Sequence, residues 1–340
     1  MQNLFHAKKN SFLFYLIVLF FALIASLRGA TRDTTAYKFV YDHIYNFPLT
    51  MSKFYEFTGM EIGYGYLAYL FNEFNFPFWL FLFFISFLTF FFIKKASDNF
   101  EINSVLVLVC YIPVFFTSHQ LMQIRQGLAI AIGYYFLSAM LVNKNKLFAY
   151  ISFLFGIFFH NIAFVFLLFI SNYVNKIIGT KYIGLIYKVI FVFCVVFVLC
   201  RILTNFEILQ LTDRISNYSD SEYSADRSFF HPANLRSIFL LILFVIFKPR
   251  KESFIYNFLT IFYAVGVGFR LGFYDFLILS GRLSTVFTYS EIFLVPILLS
   301  FKLSRFSAFF ILFIYFVFNL YINLAFQVPF ILDDYFKPLW

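Results

Sequence analysis

Most of the 340 residues are apolar: 62% are hydrophobic, 25% are aromatic and only 13% are charged. This composition excludes an ordinary soluble enzyme and is typical of a protein that crosses a membrane many times. The formal net charge of +9 does not indicate a nucleic-acid partner, because the basic residues lie between apolar runs instead of on one soluble face.

Apolar runs that approach or reach the length needed to cross about 30 Å of hydrocarbon recur along the chain. We therefore predict an all-α polytopic membrane protein with eleven transmembrane helices and a cytoplasmic N-terminus. The first run follows basic residues, as in a signal peptide, but its length and the many later runs favour an uncleaved helix. The predicted spans are 11–27, 76–93, 102–117, 120–142, 147–159, 161–174, 182–203, 235–247, 253–270, 282–300 and 306–324.

The stretch 147–170 allows two interpretations, because it is long enough for one span of 24 residues or for two short helices that fold back. A single span would place the basic sequence from Lys248 to Lys251 outside the cell, against the positive-inside rule. We therefore predict the two short helices.

Lysine and arginine are distributed differently across this topology. Lysines dominate the predicted cytoplasmic turns, as the positive-inside rule requires. Nine of the eleven arginines lie instead in the predicted outer half: Arg28, Arg32, Arg125, Arg201, Arg214, Arg227, Arg236, Arg270 and Arg282. Because a guanidinium binds phosphate oxygens in pairs and keeps its charge when desolvated, this excess indicates an anionic phosphate ligand outside. Anchoring to lipid headgroups is the alternative.

Two outer segments, 28–63 and 204–234, are too long to be simple turns. Long loops in a compact protein are usually functional or disordered. Both segments mix carboxylates, arginines, hydroxyls and tyrosines, which suits a surface for sugars and also suits a solvated linker. We expect one transmembrane domain over residues 1–340 with these two segments outside the membrane.

Two ionisable side chains, Arg125 and His160, stand within apolar runs. A charge in hydrocarbon costs about 2.5 kcal/mol or more, so it persists only where a cavity, a partner or a substrate meets it. At about 1.5 Å per helical residue, both side chains lie in the outer third of the membrane, where one cavity could join them. The structural alternatives are a core histidine bonded to a backbone carbonyl, and an arginine that forms a salt bridge or snorkels to the interface.

No metal or cofactor motif stands out. Cys110, Cys194 and Cys200 fall inside apolar runs without the spacing of metal ligands, so we interpret them as packing residues. The chain also shows no phosphate-binding loop and no internal repeat. We expect neither a metal nor a cofactor.

Short motifs of charged, glycine and aromatic residues follow one another along most of the chain. They are Arg28-Gly-x-x-x-Asp33 with Tyr37, Glu61-x-Gly63-Tyr64, Arg125-Gln126, Phe159-His160, Arg214-Ile-Ser-Asn-Tyr218, and Arg282-Leu before Tyr289 and Pro296. As an ordered set, they resemble the EpsG/Wzy group of bacterial polysaccharide polymerases.

This resemblance implies an O-antigen or capsule polymerase of the bacterial inner membrane, with a fold similar to the C-type (GT-C) membrane glycosyltransferases. The enzyme would be inverting and metal-independent, with its site facing the periplasm. Its donor would be a glycan on undecaprenyl diphosphate, and its acceptor the non-reducing end of a second lipid-linked repeat unit. Membrane lipid and a Wzz-like chain-length regulator would be its other partners.

Candidate roles follow from that chemistry. Breaking a sugar–diphosphate bond builds negative charge on the leaving group, which fixed cations stabilise without a metal. Arg125 and Arg282 are the candidates, supported by Arg28 and Arg214. Histidine suits proton transfer at neutral pH, so His160 is the candidate general base. Asp33 and Glu61 are its rivals, unless they only fix the first outer segment through an ion pair. The substrate-binding candidates are Arg28, Tyr37, Tyr64, Gln126, Arg214 and Tyr218.

Three other functions remain open. An O-antigen ligase would share the fold class and the lipid-diphosphate donor but would use a different acceptor. A flippase for lipid-linked oligosaccharides would also need cations in a cavity, although transporters often show internal repeats and a site near the midplane. An acyltransferase of surface sugars would use an intramembrane histidine, but no arrangement for a cytoplasmic acyl donor is evident.

Overall fold

The computed structural model describes residues 11–171, 178–180, 183–205, 229–249, 253–302 and 304–339. Within these residues, all regular secondary structure is helical. The chain forms two compact units. Unit 1 consists of Met1–Asn172 and Leu312–Trp340, and unit 2 consists of Tyr173–Ile311.

Six helical stretches of the described residues are long and apolar enough to cross a membrane. They are Phe78–Asn99, Ile124–Leu141, Leu185–Thr204, Phe254–Gly272, Leu279–Ser300 and Phe306–Gln327. Four shorter apolar stretches are Ser11–Ser26, Ser104–Gln120, Lys146–Phe159 and Pro232–Ile246. These helices support a polytopic membrane protein, whereas the number of spans and the likeness to C-type glycosyltransferases stay predictions.

Over the described residues 11–171, unit 1 has nine α-helices in chain order. They are α1 (Ser11–Ser26), α2 (Thr34–Asp42), α3 (Met51–Thr58), α4 (Ile62–Glu73), α5 (Phe78–Asn99), α6 (Ser104–Tyr111), α7 (Ile124–Leu141), α8 (Lys146–Phe159) and α9 (Val165–Leu168). Helix α7 is the centre of this unit, because it packs against both α5 and α8 and buries nearly all of its side chains. The predicted outer segment 28–63 is largely helical, and its helices α2 and α3 pack on α4, which in turn packs on α8.

Unit 1 also contains two π-helical segments, Ile112–Gln120 and Asn323–Gln327, which contact each other. Pro113 lies in the first of them, where its ring and missing N–H disfavour a regular α-helix. The Nδ2 group of Asn323 donates hydrogen bonds to the carbonyl oxygens of Pro113 and Val114, at 3.2 Å and 3.0 Å. The side chain of one π segment thus satisfies backbone carbonyl groups of the other.

Unit 2 is built around one central helix. Its helices are α10 (Leu185–Asn205), α11 (Pro232–Ile246), α12 (Phe254–Gly272), α13 (Leu277–Thr288) and α14 (Glu291–Lys302), and α15 (Arg305–Ile322) leads from it into unit 1, where α16 (Ile331–Phe336) follows. Helix α12 contacts α10, α11, α13 and α14. Because α12 is surrounded, most of its side chains are buried, including the polar Thr260 and Arg270.

One predicted span needs correction. The predicted span 161–174 contains a 3-10 turn, Asn161–Phe164, and the four-residue helix α9, while residues 172–177 lie outside the described part. The extended backbone of His160 ends α8 at the break that was predicted between the two short helices. The predicted span 282–300 falls within the apolar stretch Leu279–Ser300, in which Tyr289 and Ser290 separate α13 from α14. The division into one transmembrane domain with two outer segments stays a prediction.

Candidate active site

The site starts with a close approach between the beginning of α4 and the end of α8. Glu61 directly precedes α4, and Gly63 lies in its first turn. A Cβ atom on Gly63 would lie only 2.6 Å from the carbonyl oxygen of Phe158, so only glycine allows this approach. Glu61 is thereby brought next to the backbone that follows α8, where its Oε1 atom lies 3.5 Å from the nitrogen of Asn161.

Glu61 forms an ion pair with Arg125. The Nη1 group of Arg125, the second residue of α7, donates to Oε2 of Glu61. The guanidinium carbon also lies 5.5 Å from the centre of the Tyr37 ring, a cation–π arrangement. The two charged side chains remain 15% and 11% exposed, so this pair is not sealed inside the unit.

His160 completes the group. Its backbone is extended, and its Nδ1 atom accepts a hydrogen bond of 3.2 Å from the backbone N–H of Ile162, which caps the 3-10 turn. The same Nδ1 atom lies 3.8 Å from Oε1 of Glu61, and the side chain is 22% exposed. An arginine, a glutamate and a histidine from three separate parts of unit 1 therefore meet at one partly exposed place.

Two buried tyrosines lie beside this group. The ring of Tyr37 lies 5.5 Å from that of Tyr64, whose hydroxyl donates to the carbonyl oxygen of Tyr37 at 2.7 Å. Both side chains are buried. Burial raises the pKa of Tyr37 to about 12 although the nearby Arg125 opposes the shift, and burial also raises the pKa of Tyr64. Both phenols are therefore neutral and act as hydrogen-bonding groups.

Arg28 is buried, and the hydrogen bonds described for it are donated to other groups of the protein. Its Nε group donates to Oγ1 of Thr34 at 2.7 Å, and its Nη1 group donates to the carbonyl oxygens of Ala25 and Gln120 at 3.1 Å and 2.5 Å. These carbonyls lie at the C-terminal ends of α1 and the first π segment, where a cation is favourable. Burial lowers the pKa of Arg28 to about 10, so it stays charged at neutral pH.

The residues after Arg28 are held by the segment 331–337. The N–H groups of Gly29 and Ala30 donate to the carbonyl oxygens of Tyr335 and Lys337 at 2.8 Å and 2.9 Å. A Cβ atom on Gly29 would lie 1.9 Å from the Lys337 oxygen, which explains the glycine of the Arg28-Gly29 motif. Asp33 follows at the start of α2, close enough to act electrostatically on Arg28.

The match to a family profile covers nearly the whole chain, since the EpsG family profile aligns with residues 11–338. The chain belongs to the EpsG family. Membership indicates a function of the polysaccharide-polymerase type and, with the apolar helices, a membrane protein. No curated protein and no solved structure matches the chain.

The remaining predicted site residues of this EpsG-family protein are Gln126, Arg282, Arg214 and Tyr218. Gln126 follows Arg125 and is buried within α7. Arg282 lies on α13 of unit 2 with its side chain partly buried. Arg214 and Tyr218 lie outside the described residues. A shared role of these residues with Arg125 stays a prediction.

Sequence reasoning missed a second charged cluster, in unit 2 of the EpsG-family protein. Arg236 of α11 forms an ion pair with Glu291, the first residue of α14, and the Tyr263 hydroxyl lies 3.4 Å from the same carboxylate. Beside it, the Nε group of Arg270 donates to Oδ1 of Asn234 at 3.1 Å. Glu291 stands in an apolar sequence between Tyr289 and Pro296, and that isolation is the signal that could have found it.

Across the described ranges, no three His, Cys, Asp or Glu side chains come together in a way that could hold a metal ion. Cys110 and Cys200 are buried, as expected for packing residues, whereas Cys194 is exposed on the surface of α10.

Proposed function

We propose that this EpsG-family protein is an O-antigen or capsule polymerase of the bacterial inner membrane. It transfers a glycan from undecaprenyl diphosphate to the non-reducing end of another lipid-linked repeat unit, with inversion and without a metal. The reaction takes place at the periplasmic face. The observation that carries this proposal is the partly exposed group of Arg125, Glu61 and His160, which joins a cation to two proton-transfer groups.

The chemistry needs a cation and a base within reach of both sugars. As the bond between the anomeric carbon and the diphosphate breaks, negative charge collects on the diphosphate oxygens, and a preorganised guanidinium stabilises it. Arg125 and Arg282 are the proposed cations. The attacking hydroxyl loses its proton to a group of the site, for which His160, Glu61 and Asp33 are the candidates.

The surrounding residues hold this group in place or extend it. The buried ring of Tyr37 lies against the guanidinium of Arg125, and the buried ring of Tyr64 lies next to that of Tyr37, so that both hold Arg125 in place. Arg28 holds the first outer segment through its hydrogen bonds to Thr34, Ala25 and Gln120, and it is also proposed to bind the substrate. Gln126, Arg214 and Tyr218 are proposed to contact the glycan, and a Wzz-like regulator is proposed to set its length.

The test is complementation of a strain that lacks the gene. The wild-type chain should restore a ladder of long polysaccharide, whereas Arg125→Ala and His160→Ala should each abolish the ladder while the protein stays in the membrane. Lys38→Ala, outside the site, is the matched control and should restore the ladder. Normal ladders from both site variants would reject this site.

The same strain separates the polymerase from a ligase. In a background without the O-antigen ligase, a polymerase still builds long chains on the lipid carrier. Absence of carrier-linked long chains in that background, although the chain is expressed, would favour the ligase.

A further inference from the structure

One face of helix α4 is exposed and carries tyrosines at helical spacing. The exposed side chains of this helix are Tyr66, Tyr69, Leu70 and Glu73. Because residues three and four apart lie on the same side of a helix, the two tyrosine rings and the carboxylate form a row. The opposite side of α4 is buried in unit 1.

A third tyrosine joins this row from the 3-10 turn Ile44–Asn46. The ring of Tyr45 meets that of Tyr69 edge to face, with centroids 5.5 Å apart and planes at 72°. A hydrogen bond to Glu73 and the charge of its carboxylate raise the pKa of Tyr69. Partial desolvation and the same carboxylate raise the pKa of Tyr45. Both hydroxyl groups are therefore neutral and lie close to one carboxylate.

The three rings are held in place without being buried. The Tyr66 hydroxyl donates to the carbonyl oxygen of Leu49 at 3.1 Å. The side chains of Tyr45, Tyr66 and Tyr69 nevertheless remain 58%, 56% and 37% exposed. A ligand that binds to rings already held in this way loses little free energy in ordering them.

Flat rings beside a carboxylate suit a carbohydrate. A tyrosine ring offers a rigid apolar surface with a polar tip, on which the C–H face of a sugar ring packs. Sugar hydroxyl groups donate hydrogen bonds to carboxylate oxygens. Tyrosine is also common where a protein meets the membrane interface. A carboxylate is costly in hydrocarbon, so the presence of Glu73 favours the sugar over a lipid tail.

This face begins near the candidate active group. Glu61 directly precedes α4, and at about 1.5 Å per residue Tyr66, Tyr69 and Glu73 lie about 7.5, 12 and 18 Å further along the axis. The steps between them are about 4.5 and 6 Å. Each step is comparable with the length of one sugar ring in a chain, so successive side chains can contact successive sugars.

We infer that the face formed by Tyr45, Tyr66, Tyr69 and Glu73 binds the glycan of a lipid-linked unit beyond its reacting sugar. This inference rests on the proposed function and adds a binding surface to it, not a catalytic group. Because the face lies away from the bond that breaks, it sets KM and the length of the product. The rate at saturating substrate depends on the group around Arg125.

Glycan binding can be measured without turnover. The probes are oligosaccharides of several repeat units, released from the polysaccharide of the wild-type strain, which lack the diphosphate and cannot act as donors. Their affinity for the full-length protein in phospholipid vesicles should fall about tenfold in Tyr69→Ala. Tyr69→Leu keeps the apolar area without the flat ring and should lose as much. Tyr187→Ala is the matched control, since Tyr187 is an exposed tyrosine on α10, and it should bind like wild type.

Elongation gives a second measurement. In Tyr69→Ala the KM for long lipid-linked acceptors should rise about tenfold, whereas kcat should stay within about twofold of wild type. The polysaccharide ladder of the complemented strain should shift to shorter chains. Glu73→Gln keeps the shape of the side chain but loses its charge, and it should give a smaller change in the same direction.

The outcomes separate this inference from the proposed function. If Tyr69→Ala binds and elongates like wild type while Arg125→Ala abolishes elongation, the inference falls and the proposed function stands. If Tyr69→Ala loses binding, thermal stability and membrane retention together, and Tyr69→Leu restores all three, the face is a membrane anchor and the inference falls. If Arg125→Ala and His160→Ala elongate normally while Tyr69→Ala still weakens glycan binding, only the proposed active site falls.

Discussion

Within the described residues, each of the two units contains one ion pair between an arginine and a glutamate, and the two pairs differ in exposure. In unit 1, the side chains of Arg125 and Glu61 are 15% and 11% exposed, and an imidazole stands beside them. In unit 2, the side chains of Arg236 and Glu291 are 6% and 0% exposed, and the Tyr263 hydroxyl contacts the carboxylate.

The difference separates a pair that can do chemistry from a pair that holds helices together. A fully desolvated pair has no access to a substrate, and loss of either member leaves an uncompensated charge in the interior. A partly exposed pair costs less to break but can meet a ligand. We therefore expect substitutions of the Arg236–Glu291 pair to reduce stability and substitutions of the Arg125–Glu61 pair to reduce activity.

The largest effect is expected for Glu291→Ala. The guanidinium of Arg236 would lose its carboxylate in a buried place, which costs about 3–5 kcal/mol. Thermal unfolding of the purified protein and its amount in the membrane measure this loss. The double variant Arg236→Met/Glu291→Leu is the control and should recover most of the stability, because an apolar pair of similar volume is often neutral. If Glu291→Ala were as stable as wild type, the expected contrast between the two ion pairs would be wrong.

Arg125→Ala should affect the rate more than the stability. Loss of a preorganised group that stabilises transition-state charge lowers the rate by about 10²- to 10³-fold. Elongation of lipid-linked units by the purified protein measures the rate, and thermal unfolding shows whether the fold survives. Arg125→Lys keeps the charge without the planar fork and should give an intermediate rate. Equal loss of stability in Arg125→Ala and Glu291→Ala would remove the distinction between the pairs.

Gly63→Ala tests how the unit 1 pair is positioned. The new methyl group would press on the Phe158 carbonyl, so that α4 and Glu61 must shift. Overpacking of this kind costs about 1–3 kcal/mol, and a displaced Glu61 should slow elongation about tenfold. Gly184→Ala is the matched control, because its Cβ atom would meet nothing closer than Tyr187 at 3.6 Å. Similar results for the two alanines would argue against a tight contact at Gly63.

The smallest effect is expected for Lys38→Ala. Lys38 and Asp42 form an exposed pair one turn apart on α2, with an N–O distance of 2.5 Å. Pairs of this kind contribute about 0.2–0.5 kcal/mol. Unfolding and elongation should both stay close to wild type. A loss comparable to that of Glu291→Ala would show that exposure does not decide the role of an ion pair in this protein.

Sequence reasoning predicted how deep each charged residue lies along its helix, but not which face of the helix its side chain occupies. Arg125 and His160 could be predicted because an ionisable side chain in an apolar run needs a reason to be there. Glu61 was predicted only as a rival base, since helical rise gives the depth of a residue and not the direction in which its side chain points. The contact among the three depends on Gly63, whose role becomes clear only from the packing of α4 on α8.

The error in the helices has a similar origin. Apolar composition continues through 161–174 and so predicted one helix there, whereas the structure has a 3-10 turn and the short helix α9. The turn comes from local backbone geometry, since the extended His160 ends α8 and its side chain caps the turn. Glu291 was missed because the predicted span 282–300 runs across it, so that no helix start was expected there.

The contact at Gly29 imposes an order on biogenesis. The carbonyl groups that receive the N–H groups of Gly29 and Ala30 belong to Tyr335 and Lys337, and unit 2 lies between these two parts of the sequence. The ribosome must therefore finish all of unit 2 before these bonds can form. The first helices therefore stay in the bilayer without these contacts during most of translation. The structure around Arg28 is among the last parts of the protein to form.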